Sequence, residues 1–480
     1  MTRFPIRKAG PAALAVAAIL MPLAPPAIAL EAASAARPPM AVQPASESLP
    51  LARPAAAEAM HLAQTDKAAV DAPTRRPVSA LRPLWRWGVE SVLVEAGALP
   101  DAPEADHQFW LRASPYALWQ PARGWEIRVG SQIDASAQGG GPEGFDRIRA
   151  RLGESYLRYR QGGTRLTLGA QTVVWGRVDE MPLIDRVSRA DLNRFVLDDL
   201  SDRRLPLPAL RWEQTLGDFK VDAVALLGFR GAALPDARSV WSPVDTTTGE
   251  VLGLPGDPAR EAFVRAARLR QDDPRTGGAA ARLTWTGEGL DLGLTLARTR
   301  QSLPYYLPDL ASGTLTATHP YVRFAAADAE LATAAVTWRT ELAWSDGLPV
   351  TAAAGGMLRR SAVEWVGAME FFPGGEDTRV NLQLAARRIR GGQPVLERRA
   401  YTAVNGEVET AFGHGRWKVA LRFNLGLNVH DVYLAPRLSY VGWEPHELYV
   451  TAHAFDGSER TLGGFHRRHD LLAVGLKTRF

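Results

Sequence analysis

From about Trp85 to Phe480 the chain repeats one pattern, in which apolar and polar residues alternate with a period of two. In WEIRVGSQID, Trp125, Ile127, Val129 and Ile133 fall on one face and Glu126, Arg128, Gln132 and Asp134 on the other. RLTLGAQTVVW sets Leu166, Leu168, Ala170 and Val174 against Thr167, Gly169 and Gln171. TWRTELAW sets Trp338, Leu342 and Trp344 against Arg339 and Glu341, and WKVALRFN sets Trp417, Val419, Leu421 and Phe423 against Lys418, Arg422 and Asn424. Successive side chains of a strand point to opposite faces, so each segment reads as a strand between two different environments. No second sheet or helical layer remains to cover so many apolar faces.

The connections carry a second signal. QGGT (161–164), LGDF (216–219), TGEGL (286–290), FPGGED (372–377), GHG (413–415) and GWEP (442–445) are tight turns. Between them lie longer, irregular stretches at about 136–149, 176–209, 228–278, 299–320, 345–359, 389–405 and 456–469, with one short exception at 425–430. Short periplasmic turns alternating with long outer loops belong to an outer-membrane barrel. The fold expected is therefore all-β: a transmembrane, antiparallel, up-and-down β-barrel of about 18 strands, with 16 as the alternative. An even count places both termini on the periplasmic side.

The chain ends in LLAVGLKTRF, with Leu472, Val474, Leu476, Thr478 and Phe480 on one face. A terminal edge strand would fray. Pairing the last strand with the first removes the edge and turns this face to lipid. Leu472, Val474, Leu476 and Phe480 resemble the terminal assembly signal of outer-membrane barrel proteins, which implies barrel-assembly machinery as a partner, with Thr478 where that signal commonly has an aromatic. Trp125 and Trp417 at periplasmic strand starts, Phe371 at a periplasmic end and Trp344 at an outer end read as interfacial aromatics.

The N-terminus reads as an export leader. Arg3, Arg7 and Lys8 precede the apolar run PAALAVAAILMPL and the triplets AIA and ASA. Residues 1–29 are the expected signal peptide, with 35 as the alternative end. Residues 30–84, rich in Ala and Pro, read as a flexible periplasmic segment, and 85–480 as the barrel. Without the three leader bases, 53 basic residues stand against 52 acidic ones, a balance of +1 that does not suggest a nucleic-acid partner. The absence of cysteine excludes disulfides and thiol chemistry.

If the apolar faces look outward, the polar faces line the lumen. On the first strands they present Glu126, Arg128, Gln132, Glu154, Tyr156, Arg158, Arg160 and Gln171. On the later strands they present Arg339, Glu341, Lys418, Arg422 and Arg437. Such mixed charge is explained by simple solvation, or by a selective path in which arginine rows attract anions. A barrel of about 18 strands is wide enough for an aqueous channel.

The most individual stretch is WGRVDEMPLIDRVSRADLNRFVLDDLSDRRLPLPALRW. Ser188 is a candidate cap for a helix through RADLNRFVLDDLSD, with Val187, Phe195, Val196 and Leu200 as its apolar stripe. This helical insertion in an outer loop either caps the barrel or constricts it. In the second case Asp179, Glu180, Asp185, Asp191, Asp198 and Asp199 would face wall arginines such as Arg128 and Arg158 across the opening.

LGAQTVVWGRVDEMPLID, with RADL and RRLPLPALRW behind it, resembles an uncharacterised family of large Gram-negative outer-membrane barrels. So does the run LAPRLSYVGWEP…LYVTAHAFDG…GGFHRRHDLLAVGLKTRF. The motif positions are Gly169, Gln171, Trp175, Gly176 and Asp179, and the resemblance spans about 85–480. It implies transport beside lipid-exporting or hydrophobic-compound systems, without naming a solute.

No G-x-S-x-G elbow, Walker loop or H-E-x-x-H is present. His466 and His469 have a metal-like spacing, but Arg467 and Arg468 between them disfavour a cation. No enzyme, cofactor or metal is therefore expected. The expected function is a porin-like channel for small solutes, open to dedication to hydrophobic or anionic compounds. The alternatives are a structural or assembly barrel and, against the inward-facing His453, a lipase-like barrel enzyme.

Overall fold

The computed structural model describes residues 84–375 and 377–480. The expected leader and nearly all of the Ala/Pro-rich segment lie outside the described residues.

The alternating segments form eighteen strands of one closed wall. They are β1 (Leu84–Ala98), β2 (His107–Gln120), β3 (Trp125–Gly139), β4 (Phe145–Leu152 continued by Ser155–Gln161), β5 (Thr164–Gln171), β6 (Leu207–Leu216), β7 (Phe219–Leu226), β8 (Gly278–Thr286) and β9 (Leu290–Arg300). The second half comprises β10 (Tyr321–Ala332), β11 (Val336–Thr351), β12 (Met357–Phe371), β13 (Thr378–Ile389), β14 (Ala400–Phe412), β15 (Trp417–Gly426), β16 (Asp431–Trp443), β17 (His446–Gly457) and β18 (Leu471–Arg479). Both parts of β4 pair with β3, so they are one strand broken at Gly153 and Glu154.

Every strand pairs antiparallel with its sequence neighbours. β18 returns to β1, from Ser91 opposite Arg479 to Ala98 opposite Leu472. The Phe480 amide donates to the Glu90 carbonyl at 3.0 Å. Closure pairs the last row of backbone groups and leaves no edge.

The turns fall on two ends of the barrel. One end carries only short connections, such as Gly162–Gly163 and Glu444–Pro445. The other carries the long ones, above all 172–206 and 227–277. Two stretches read from sequence as loops are largely strand, because β3, β4, β11 and β12 run farther and leave only 140–144 and 352–356 between them. Trp344 therefore lies within β11 rather than at its end.

The outer surface is apolar in a continuous band. Ile148, Leu294, Leu296 and Val474 are among its exposed side chains, Ile148 being 80% exposed. Near the short turns Trp85 stacks on Trp119 at 5.1 Å, Trp125 packs tilted against Tyr159 at 4.7 Å and Trp417 meets Tyr440 edge-to-face at 5.0 Å. An apolar band with an aromatic girdle suits a lipid bilayer and its interface.

The helix expected across RADLNRFVLDDLSD is absent. That stretch holds a two-residue strand (Arg189–Ala190), turns and one 3-10 turn (Leu200–Arg203). Phe195 has φ 54°, which a right-handed helix forbids. The helical insertion sits instead in the 227–277 connection. There α1 (Pro258–Ala266) is capped by Asp257, whose side chain accepts from the Arg260 amide. A small separate sheet of Arg268–Gln271, Thr314–Thr318 and Tyr305–Asp309 ties this connection to 301–320.

Candidate functional site

The segment 172–206 leaves the wall after β5 and crosses the lumen before rejoining it at β6. Gly169 prepares the departure. Its φ is 129°, and a Cβ there would lie 2.4 Å from the Ser155 carbonyl oxygen. Gln171 points inward and its amide donates to the carbonyls of Thr167 (3.2 Å) and Ala209 (3.1 Å), joining the two wall strands where the segment departs. At the first bend Asp185 Oδ1 accepts from the amides of Trp175 and Gly176, both at 2.7 Å. Gly176 allows the bend, since a Cβ would lie 2.4 Å from Pro182. Trp175 is buried and its Nε1 donates to Asp222 at 2.8 Å.

The wall then takes hold of the segment from nearly all sides. Glu341, fully buried on β11, accepts four backbone amides: Arg177 and Val178 on one oxygen, Leu183 and Ile184 on the other. Arg177 pairs with Asp328 of β10, and Arg186 with Glu364 of β12. Asp179 meets Arg379 at 2.9 Å and Arg339 at 3.7 Å. Asp191 meets Arg151 at 2.8 Å and Arg112 at 3.4 Å, and Asp198 meets Arg112 at 3.1 Å. Arg194 pairs with Glu95 of β1 at 2.8 Å and with Asp198 at 2.6 Å. Asp199 meets Lys477 at 2.6 Å, with Arg422 and Arg437 each at 3.8 Å.

Apolar seats complete the fit. Val173, Trp175, Ile184 and Val187 pack against inward residues that include Leu207, Val224, Ala280, Ala297, Phe324, Ala326 and Ala343. The run of alanines on this part of the wall makes room for them. Phe195 and Leu197 pack against Trp241, Tyr433, Phe455, Leu471 and Leu99 on the opposite side.

The acids singled out from sequence thus contact cations directly instead of facing them across an opening, and the partners differ from those expected. Arg128 pairs with Glu90 at 2.7 Å and lies over the Tyr116 ring, while Arg158 pairs with Glu126 at 3.0 Å. Both are engaged within the wall. Asp185 and Glu180 serve the segment itself, meeting Arg204 at 2.7 Å and Arg203 at 3.8 Å. Tyr156, expected in the lumen, donates its hydroxyl to Glu126 at 2.9 Å.

The other inward residues divide by role. Gln132 and Arg422 touch the inserted segment, the former at Asp191 and the latter at the carbonyls of Val196 and Asp198. Glu154 accepts from the Thr172 amide at 3.0 Å. Lys418 pairs with Glu409 at 3.2 Å. Arg160, near the short turns, makes no ion pair among the described residues. Leu472, Val474 and Phe480 are exposed on the outside, with Leu476 partly so.

Several key groups were missed from sequence: Glu95, Arg112, Arg151, Arg194 and Lys477. Arg151 has a signal, since FDRIRARL places Arg147, Arg149 and Arg151 in one alternating row, but the glycines just before it make much of that strand read as loop. Arg112 shares a face with Gln108 and Trp110 in HQFWLRASPYALW. A buried arginine among carboxylates is visible only once the strands are closed.

Between the inserted segment and the long connections lies a cavity of about 710 Å³. Its lining mixes apolar side chains, such as Leu192, Leu303, Val322 and Phe324, with arginines 186, 189, 203, 300, 387 and 398. Its carboxylates are fewer: Glu180, Asp185, Glu364 and Asp431. Arg387 points inward from β13 with an exposed side chain and makes no ion pair among the described residues.

A family model described as a protein of unknown function, DUF1302, matches residues 124–429, and the chain belongs to that family. A search of the curated proteins finds no match. Solved structures with a similar architecture include OccAB1 of Acinetobacter baumannii, at 11% identity and a TM-score of 0.47, covering 83% of this chain and 95% of that one. OccK5 (OpdH) of Pseudomonas aeruginosa follows at 9% identity and a TM-score of 0.44, covering 82% and 97%. OmpT, an outer membrane protein of Vibrio cholerae, has 10% identity and a TM-score of 0.42, covering 84% and 100%. The strand pairing of this chain itself carries the assignment of the fold.

Proposed function

We propose that this member of the DUF1302 family is an outer-membrane channel in which the inserted segment 172–206 constricts the passage of small solutes. The observation that carries the reading is the position of that segment. It crosses the lumen of a closed barrel, pinned by ion pairs and by Glu341, and a cavity remains on the long-connection side. The lining of that cavity favours anionic solutes with apolar parts, because cationic side chains outnumber carboxylates among apolar neighbours. The apolar outer band supports a place in the outer membrane, with the short turns and both ends of the barrel on the periplasmic side.

The test is single-channel recording on the full chain and on a form in which 186–204 is replaced by a short Gly/Ser linker. The replaced form is expected to assemble, to conduct more and to select less among ions. Equal conductance and selectivity in the two forms would remove the constricting role. An absence of current from both would favour a structural barrel.

A further inference from the structure

Buried guanidiniums need acceptors, because an unpaired charge away from water is costly. Arg112 and Arg194 meet this need with carboxylates. Arg189 does not. It lies in the inserted segment with 1% of its surface exposed. Its Nη1 donates to the carbonyls of Arg186 (3.1 Å), Ser188 (3.3 Å) and Val187 (3.4 Å). Nε and Nη2 have no acceptor, and no carboxylate is within ion-pair distance among the described residues. Nε and Nη2 form one edge of the guanidinium, the fork that fits a carboxylate with two parallel hydrogen bonds.

A second unpartnered group lines the same cavity. The Ala233 amide donates to the Ala190 carbonyl and the Ala232 amide to the Ser302 carbonyl, both at 2.9 Å, so the stretch 232–233 links the Arg189 strand to Ser302. The Ser302 hydroxyl is buried without a partner, and both residues line the large cavity. The remaining buried unpartnered atoms in that lining are the Nε groups of Arg186, Arg203 and Arg398. Every one of these side chains is a donor. A cavity with surplus donors accepts an anion, and Leu192, Leu303 and Val322 in the same lining suit an apolar body.

We propose that Arg189, with Ser302 in the same cavity lining, binds the carboxylate of an amphipathic monoacid whose apolar body lies against Leu192, Leu303 and Val322. The role of this site in transport rests on the channel reading above. The cation is used as a fixed charge: Nη1 holds it to the segment's own carbonyls while the free edge takes the ligand.

The test is equilibrium dialysis of radiolabelled hexanoate against the full chain folded in detergent, corrected with protein-free micelles. Saturable binding is expected, weakened at least tenfold in Arg189→Gln, partly restored in Arg189→Lys and reduced in Ser302→Ala. Hexylammonium should not compete. Inorganic phosphate should compete far more weakly than unlabelled hexanoate. No saturable binding to the unaltered chain overturns the proposal, whatever the variants do. Equal competition by phosphate overturns the part assigned to the apolar body. Heat-modifiable migration in electrophoresis checks that each variant is folded. Single-channel current from the same preparation separates the two readings. Binding without current keeps the site and removes the channel, and current without binding does the reverse.

Discussion

Replacing Glu341 by alanine should release the inserted segment without harming the wall. One carboxylate holds four amides, at 2.6 Å (Arg177), 3.3 Å (Val178), 2.7 Å (Leu183) and 3.2 Å (Ile184). A hydrogen bond to a charged group contributes roughly 1.5–3 kcal/mol, and two of these four are long, so about 3–5 kcal/mol is a fair figure for the whole seat. At about 1.4 kcal/mol per factor of ten, the released arrangement should gain on the order of 10²–10³-fold in population. The wall should persist, because β11 is held to β10 and β12 by its backbone ladder and Glu341 projects inward. Hydrogen exchange at the four amides and single-channel recording would read the change. Faster exchange, more frequent openings and unaltered heat-modifiable migration are expected. Glu341→Gln, which keeps one acceptor oxygen, should fall between. Unchanged exchange in Glu341→Ala would refute the idea that this carboxylate anchors the segment.

Arg112→Met should remove a cation shared by Asp134, Asp191 and Asp198, leaving these buried acids and Glu95 with only Arg151 and Arg194, and cost roughly 3–5 kcal/mol, seen as a lower unfolding temperature; adding Asp191→Asn should recover part of the loss. Val474→Arg, on the lipid face between Ala96 and Val450, should impair assembly by about 2–4 kcal/mol, measured as folded protein in the membrane fraction. Lys477→Asp should assemble but conduct more, because position 477 meets Asp199 (2.6 Å) and Asp202 (2.7 Å) and not simply water. In the connection 458–470, at the long-loop end of the barrel, burial pushes the His466 imidazole well below its usual range, and His469 beside it acts the same way. The opened form therefore binds the extra proton, so this connection should keep its full stability above about pH 6.5 and lose it as pH falls below that. Proteolysis of the connection across that range should show the loss, and His466→Phe should abolish the dependence.

Alternation and turn chemistry are local, so the wall could be read from the residues alone. Each strand's outward face, the tight turns such as Gly162–Gly163, and the return of the last strand to the first follow from period-two patterning and from the cost of an open edge in lipid. Strand limits were misjudged where glycine and alanine blur the alternation, as around 136–149 and 345–359. The inserted segment was picked out by its length and its acids, but its conformation was not legible. Val187, Phe195, Val196 and Leu200 fit a helical stripe, yet Val187 packs with Phe324 and Ala343 while Phe195 packs with Trp241 and Leu471. These seats face each other across the lumen, so no single helical face is served. The amides a helix would have paired internally go in part to distant carbonyls instead, that of Asp191 to Arg203 and that of Leu192 to Ala233, while Glu341, far away in sequence, holds amides just before the expected helix. The partners of the acids were undetermined for the same reason. Many arginines point inward by parity alone, and only closure of eighteen strands decides which of them come within reach of Asp191, Asp198 and Asp199, and that Arg189 is left with a free edge.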